Sequence, residues 1–188
     1  MKFLTALTGL LVILLSSCTL VTATNVPGKK ATKVPKNMLG QYELHYPESI
    51  AAMMEGSDAK TIVIFENDRM TVRNADGDNV SMLGDSLFIS TIKKQTYLSM
   101  GAPPSVIVFK IVKKGKDMEL YPMFCNEEVT ANLLEPYFSK VTEVEGEMDE
   151  NGEMGASTYE VTIDDTKLDK FFTSEIALKD PFILKKTK

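Results

Sequence analysis

The stretch Val106-Ile107-Val108-Phe109-Lys110-Ile111-Val112, turning at Lys113-Lys114-Gly115-Lys116-Asp117 and returning as Met118-Glu119-Leu120-Tyr121-Pro122-Met123-Phe124, decides the fold class. Its first arm is dominated by β-branched and aromatic residues, and a glycine sits in the charged turn. That is the composition of a β-hairpin. It is also the most apolar strand pattern in the body of the chain.

Working outward, the same pattern recurs. Residues 39–46 alternate, with Tyr42, Leu44 and Tyr46 on one face and Gln41, Glu43 and His45 on the other, as in a half-buried strand. Residues 61–66 and 69–73 read as strands joined across Asn67-Asp68, and the Asp76-Gly77 turn leads into 80–83. Strand patterns continue at 87–92 and 96–100, stop at Gly101-Ala102-Pro103-Pro104, and return at 157–163 and 182–185. Short helices are expected at 49–55, closed by Gly56, and after Asn126, with Val129, Leu133 and Leu134 inward until Pro136. A third follows Thr166, where Asp169 completes a weak capping box ahead of Leu168, Phe171 and Phe172 facing inward. About nine strands in adjacent hairpins predict a mainly β, antiparallel meander that closes into a barrel or half-barrel, with two or three short helices.

At the other end of the chain, Lys2 precedes an apolar run ending in Leu15-Ser16-Ser17-Cys18. A basic start, a short apolar core and small residues before a cysteine form a secretory signal, too short for a spanning helix. The four residues resemble a bacterial lipobox. That resemblance implies cleavage before Cys18, thioether lipidation of Cys18 and N-acylation of the new terminus, hence a lipid anchor in the bacterial cell envelope. Thr19, where Asp would favour inner-membrane retention, implies the outer membrane facing the periplasm. An ordinary signal with an incidental cysteine, or a short uncut anchor, is the alternative. The expected organisation is therefore a signal peptide over 1–17, a lipidated Cys18 and flexible tether over 18–36, and one β-rich domain over 37–188. Lys29, Lys30, Lys33 and Lys36 in the tether are either drawn to anionic headgroups or simply solvated.

The chain carries a formal charge of −5, one unit more negative once Lys2 leaves with the signal. No basic, aromatic-studded stripe offsets this, so nucleic acid is not an expected partner. Of the two cysteines, Cys18 is consumed by lipid and Cys125 is expected to be a small buried hydrophobe at a strand end. A nucleophilic Cys125 would need a base, and His45, the one histidine, points to solvent. No phosphate loop, nucleophile elbow or metal-ligand spacing is present, so neither an enzyme nor a cofactor is expected. The oxygen side chains of Asn74, Asp76 and Asp78 fit a tight turn better than a calcium loop, and the acidic stretch 143–155 reads as a solvated loop. Asp164 and Asp165 suit a helix start.

Met38-Leu39-Gly40-Gln41-Tyr42-Glu43-Leu44 resembles the Gly-x-Trp opening of the lipocalin first strand, with Tyr42 where that family usually has Trp. The resemblance implies a cup for a small apolar ligand, with Gly40 and Tyr42 closing the barrel base. Ten methionines spread over the body suit either an irregular apolar ligand or ordinary core filling. Two functions follow. A ligand carrier needs an apolar cavity of at least about 300 Å³, whereas a protein-interaction or envelope-maintenance lipoprotein needs a filled core and an exposed apolar patch.

Overall fold

The computed structural model describes residues 19–47, 60–125, 129–145 and 158–187. In them the chain is mainly β, a continuous curled sheet with two short helices, and the antiparallel meander forms a half-barrel. The strands are β1 (Thr19–Ala23), β2 (Lys29–Lys30), β3 (Gly40–His45), β4 (Ile62–Phe65), β5 (Arg69–Asn74), β6 (Gly77–Met82) and β7 (Leu87–Ile92) in the first half. The second half holds β8 (Gln95–Ala102), β9 (Ser105–Lys114), β10 (Asp117–Pro122), β11 (Phe124–Cys125), β12 (Phe138–Val144), β13 (Thr158–Ile163) and β14 (Phe182–Lys186). The helices are α1 (Ala131–Leu134) and α2 (Leu168–Thr173).

The β9–β10 hairpin is the pivot. One edge of β9 pairs with β8, which pairs with β7; the other edge pairs with β10 along its C-terminal half and with β1 at Val106. From β10 the sheet runs through β14, β3, β4 and β5 to the edge strand β6. The apolar character of residues 106–112 now has a tertiary cause. Ile107 and Ile111 belong to a core inside the curl with Tyr42, Phe65, Leu98 and Leu184. Val106 and Val108 face the opposite way, into a second core with Val161, Leu168, Phe171 and Phe172. A strand buried on both faces has no polar side to alternate with. The second core is roofed by β12, β13, α1 and α2, and the Tyr159 hydroxyl ties the roof together by donating to the Val129 carbonyl at 2.8 Å.

The expected tether over 18–36 is corrected. Thr19-Leu20-Val21-Thr22-Ala23 is a strand, buried along its whole length, parallel to β13 and antiparallel to β11 and to β9. Leu20 joins the inner core while Val21 and Ala23 join the outer one. The rest of the stretch is stitched to the sheet residue by residue. Thr24 N–H donates to the Val161 carbonyl, Ile163 N–H to the Asn25 side chain, Gly28 N–H to Asp165, Ala31 N–H to Ile89 and Val34 N–H to Asn67. Gly28, at φ 61°, lies where a Cβ would stand 2.7 Å from the Thr91 carbonyl oxygen, so only glycine lets β2 come up against β7. Val34 and Met38 are buried. Residues 19–36, expected to lie outside the domain, thus belong to the folded unit, and every described strand and both cores lie between Thr19 and Lys186.

Smaller differences share one cause, packing that local pattern does not report. Strand β12 was not expected at all. Leu133, expected inward, is 49% exposed, while Leu134 and Val129 are buried; α1 runs only from Ala131, after Thr130. In place of a capping box, Asp164 accepts from both the amide and the hydroxyl of Thr166, and Asp165 is taken by Gly28. Leu168, Phe171 and Phe172 are buried as expected. The signal segment 1–17, Cys18, the helix at 49–55, the Asn126 cap and most of the acidic stretch 143–155 lie outside the described residues.

Candidate functional site

Alternation on β3 turns Tyr42, Leu44 and, just beyond its end, Tyr46 into the curl, while His45 stays 38% exposed, 3.6 Å from Glu43. Cross-strand register extends this inner face across three neighbours. Tyr42, Val63, Val72 and Asn79 oppose one another in one row; Gly40, Phe65, Met70 and Ser81 do so in the next. Above them lies a cavity of about 200 Å³. Phe65, Met70, Leu98, Leu120 and Leu184 form its buried part, and the half-buried Tyr46, Met100 and Phe109 its more open part. Apart from the Tyr46 hydroxyl, its polar groups are Thr61, Asn74, Asn79 and Ser81, all uncharged and all on or next to the β4–β6 wall. Such a lining suits apolar matter bearing a neutral hydrogen-bonding group on one side and disfavours a bare charge.

Tyr42 stands at the closed end. It is fully buried, its hydroxyl donates to the Met38 carbonyl at 3.0 Å, and its ring meets Phe65 edge-on at 6.0 Å. The Lys186 ammonium lies 5.6 Å above the ring. Burial, and after it the charge of Asp117, pushes the Tyr42 phenol above its ordinary value, so the group is a neutral hydrogen-bond donor. Gly40 enters β3 with φ 131°, a conformation glycine adopts readily. Among the methionines, Met70 and Met100 line the cavity, while Met38, Met118 and Met123 are buried core.

The other residues singled out from the sequence do not converge on this cavity. Cys125 ends β11, wholly buried, beside Thr19. The Asp78 carboxylate is bound by the Arg73 guanidinium through two bonds of 2.7 and 2.8 Å, and Asn74 accepts from Asp76 N–H to form the turn. Among the described residues no group of three or more His, Cys, Asp or Glu side chains could hold a metal ion. The buried hydroxyls of Ser90, Tyr97 and Ser99 lie on the opposite face of β7 and β8; burial, then Asp169 and Asp165, raises the Tyr97 phenol, the reverse of what activation needs.

The cavity walls were not named from the sequence. The signal that could have found them is the inward alternation itself, Tyr42-Leu44-Tyr46 followed by Val63-Phe65 and Met70-Val72, which defines one face of a curled sheet. No protein-family model matches this chain, and no curated protein and no solved structure is detectably similar to it.

Proposed function

We propose that this protein is a lipid-anchored bacterial envelope lipoprotein whose half-barrel takes up a small, uncharged apolar ligand. The cavity inside the curl carries this reading: its walls are apolar except for one neutral polar strip. At about 200 Å³ it falls short of the roughly 300 Å³ that the sequence reading set for a carrier, which narrows the proposed ligand to a single alkyl chain or one ring. The lipobox-like Leu15-Ser16-Ser17-Cys18 supports the anchor, and the opening Gly40-Gln41-Tyr42 with the curled sheet supports the likeness to lipocalins. Because β1 starts at Thr19, a lipid on Cys18 holds the domain directly against the bilayer, with no linker between. The adaptor reading has less support, since Met82, Leu133 and Val144, the large apolar residues exposed among those described, sit on three separate elements.

The test is native mass spectrometry of the chain from residue 18 purified from its own host, followed by calorimetric titration with 1-octanol. A co-purifying neutral lipid, or octanol binding that Val72→Phe abolishes by filling the cavity, is the expected result. A bare mass, no octanol binding and a captured envelope protein would replace the carrier with an adaptor.

A further inference from the structure

Alternation along β4, β5 and β6 decides which side chains of that wall face the cavity, and four of them are polar where a core position would take an apolar residue. Pairing fixes their order. Asn79 opposes Val72, Ser81 opposes Met70 in the row nearer the closed end, and Asn74 opposes Gly77 in the row farther from it. Ile62 opposes Arg73, so Thr61, the residue before β4, stands beside Asn74 in that same outer row. Side chains opposed in this way have their Cβ atoms about 5 Å apart, within reach of one small group.

The same alternation keeps charge off the wall. Arg73 and Asp78, the chain neighbours of Asn74 and Asn79, bind each other through bonds of 2.7 and 2.8 Å and do not line the cavity.

A second observation concerns the partners of these polar groups. Thr61 is 8% exposed, and neither its side chain nor that of Asn79 makes a hydrogen bond to a described residue. Burying a hydroxyl without a partner costs stability, and valine in its place would not carry that cost. Polar groups left in that condition on a cavity wall mark a place for an external partner.

Asn74 shows which kind of partner. One atom of its amide is occupied, accepting from Asp76 N–H at 3.0 Å to close the turn. Because a backbone N–H only donates, that atom is the oxygen Oδ1, and the group left over is the NH2, a donor alone. Thr61 beside it donates as well. What meets them is an acceptor, and an uncharged one, since among the described residues no ammonium or guanidinium lines the cavity to offset a buried anion. An ester or amide carbonyl meets both requirements.

We propose, resting on the ligand reading above, that Thr61, Asn74 and Asn79 form a subsite for a neutral carbonyl group. The ligand is then a short acyl ester or amide whose chain lies against Phe65, Met70 and Leu98. Asn74 and Thr61 donate to the carbonyl oxygen, and Asn79 donates to it or accepts from an amide N–H. Ser81, beside Met70, lies deeper than this subsite.

The test is calorimetric titration of the chain from residue 18, carrying Cys18→Ser, with three probes of comparable size. Methyl hexanoate offers only acceptors, 1-octanol also donates, and hexanoate is charged at pH 7. The parent is expected to bind the first two and not the third. Asn74→Asp keeps the oxygen that closes the turn and replaces the donor by an acceptor. It should weaken methyl hexanoate at least about tenfold and leave 1-octanol within about twofold, at an unchanged melting temperature. Thr61→Val, the same shape without the hydroxyl, should weaken methyl hexanoate about fivefold in a protein that melts no lower than the parent, and it decides the matter if Asn74→Asp fails to fold. Equal losses for both probes, no loss for either, or hexanoate bound as tightly as its ester would overturn the subsite. Binding of 1-octanol without methyl hexanoate overturns it and leaves the carrier standing, whereas binding of neither by the parent removes both.

Discussion

Removing the Tyr42 hydroxyl leaves the Met38 carbonyl without its 3.0 Å donor inside the closed end. Tyr42→Phe is therefore expected to cost about 1–2 kcal/mol, and Tyr42→Ala, which also opens a cavity beside Phe65, about 3–5 kcal/mol. Urea midpoints measure both, and an unchanged midpoint for the alanine variant would show that Tyr42 closes nothing. Acid sensitivity also resides in single residues. Hydrogen bonds from Thr166 hold the Asp164 carboxyl below its ordinary value, and the Arg73 guanidinium does the same for Asp78. A folded-state value below the unfolded one gives stability that is present above the unfolded value, about pH 4, and is lost as pH falls through the folded value. The melting temperature should fall on acidification below about pH 4, and less steeply in Asp164→Ala and Asp78→Ala. An identical acid slope in both variants would contradict this account.

At the scale of elements, β1 is the informative case. Residues 19–36 are rich in Thr, Lys, Ala and Pro, which locally describes a linker. Their hydrogen-bond partners Val161, Ile163 and Asp165 lie 137 or 138 residues away, so no window along the sequence contains the evidence for pairing. Strands joined by tight turns were legible because each turn brings its own partner within reach: β4 with β5, β7 with β8, β9 with β10. Tyr42 and Cys125 were legible for a related reason, since alternation and the end of an apolar run state which way a side chain goes. If β1 is integral, deleting residues 19–23 should abolish the cooperative unfolding transition, and Val21→Ala should cost about 2–3 kcal/mol of the outer core. A deletion variant with an unchanged thermal melt would restore the tether.

Across the whole molecule, the proposed anchoring would depend on the Cys18 sulfur and the proposed uptake on the cavity inside the curl, and each would fail separately. Cys18→Ala should release the protein from membranes, read by fractionation, with intact mass showing acyl chains only on the parent. Membrane retention of the variant would point to an uncut anchor instead. The β class, the hairpin order, the burial of Cys125 and the two-faced β3 follow from the sequence by itself, because strand period and turn chemistry act over a few residues. The parallel seat of β1 beside β13, the roof that buries the outer face of β9 and the size of the cavity were decided only by the tertiary structure. Each of those needs groups far apart in the chain to share one place, and the entropy of closing such long loops is recovered only when the entire sheet is assembled.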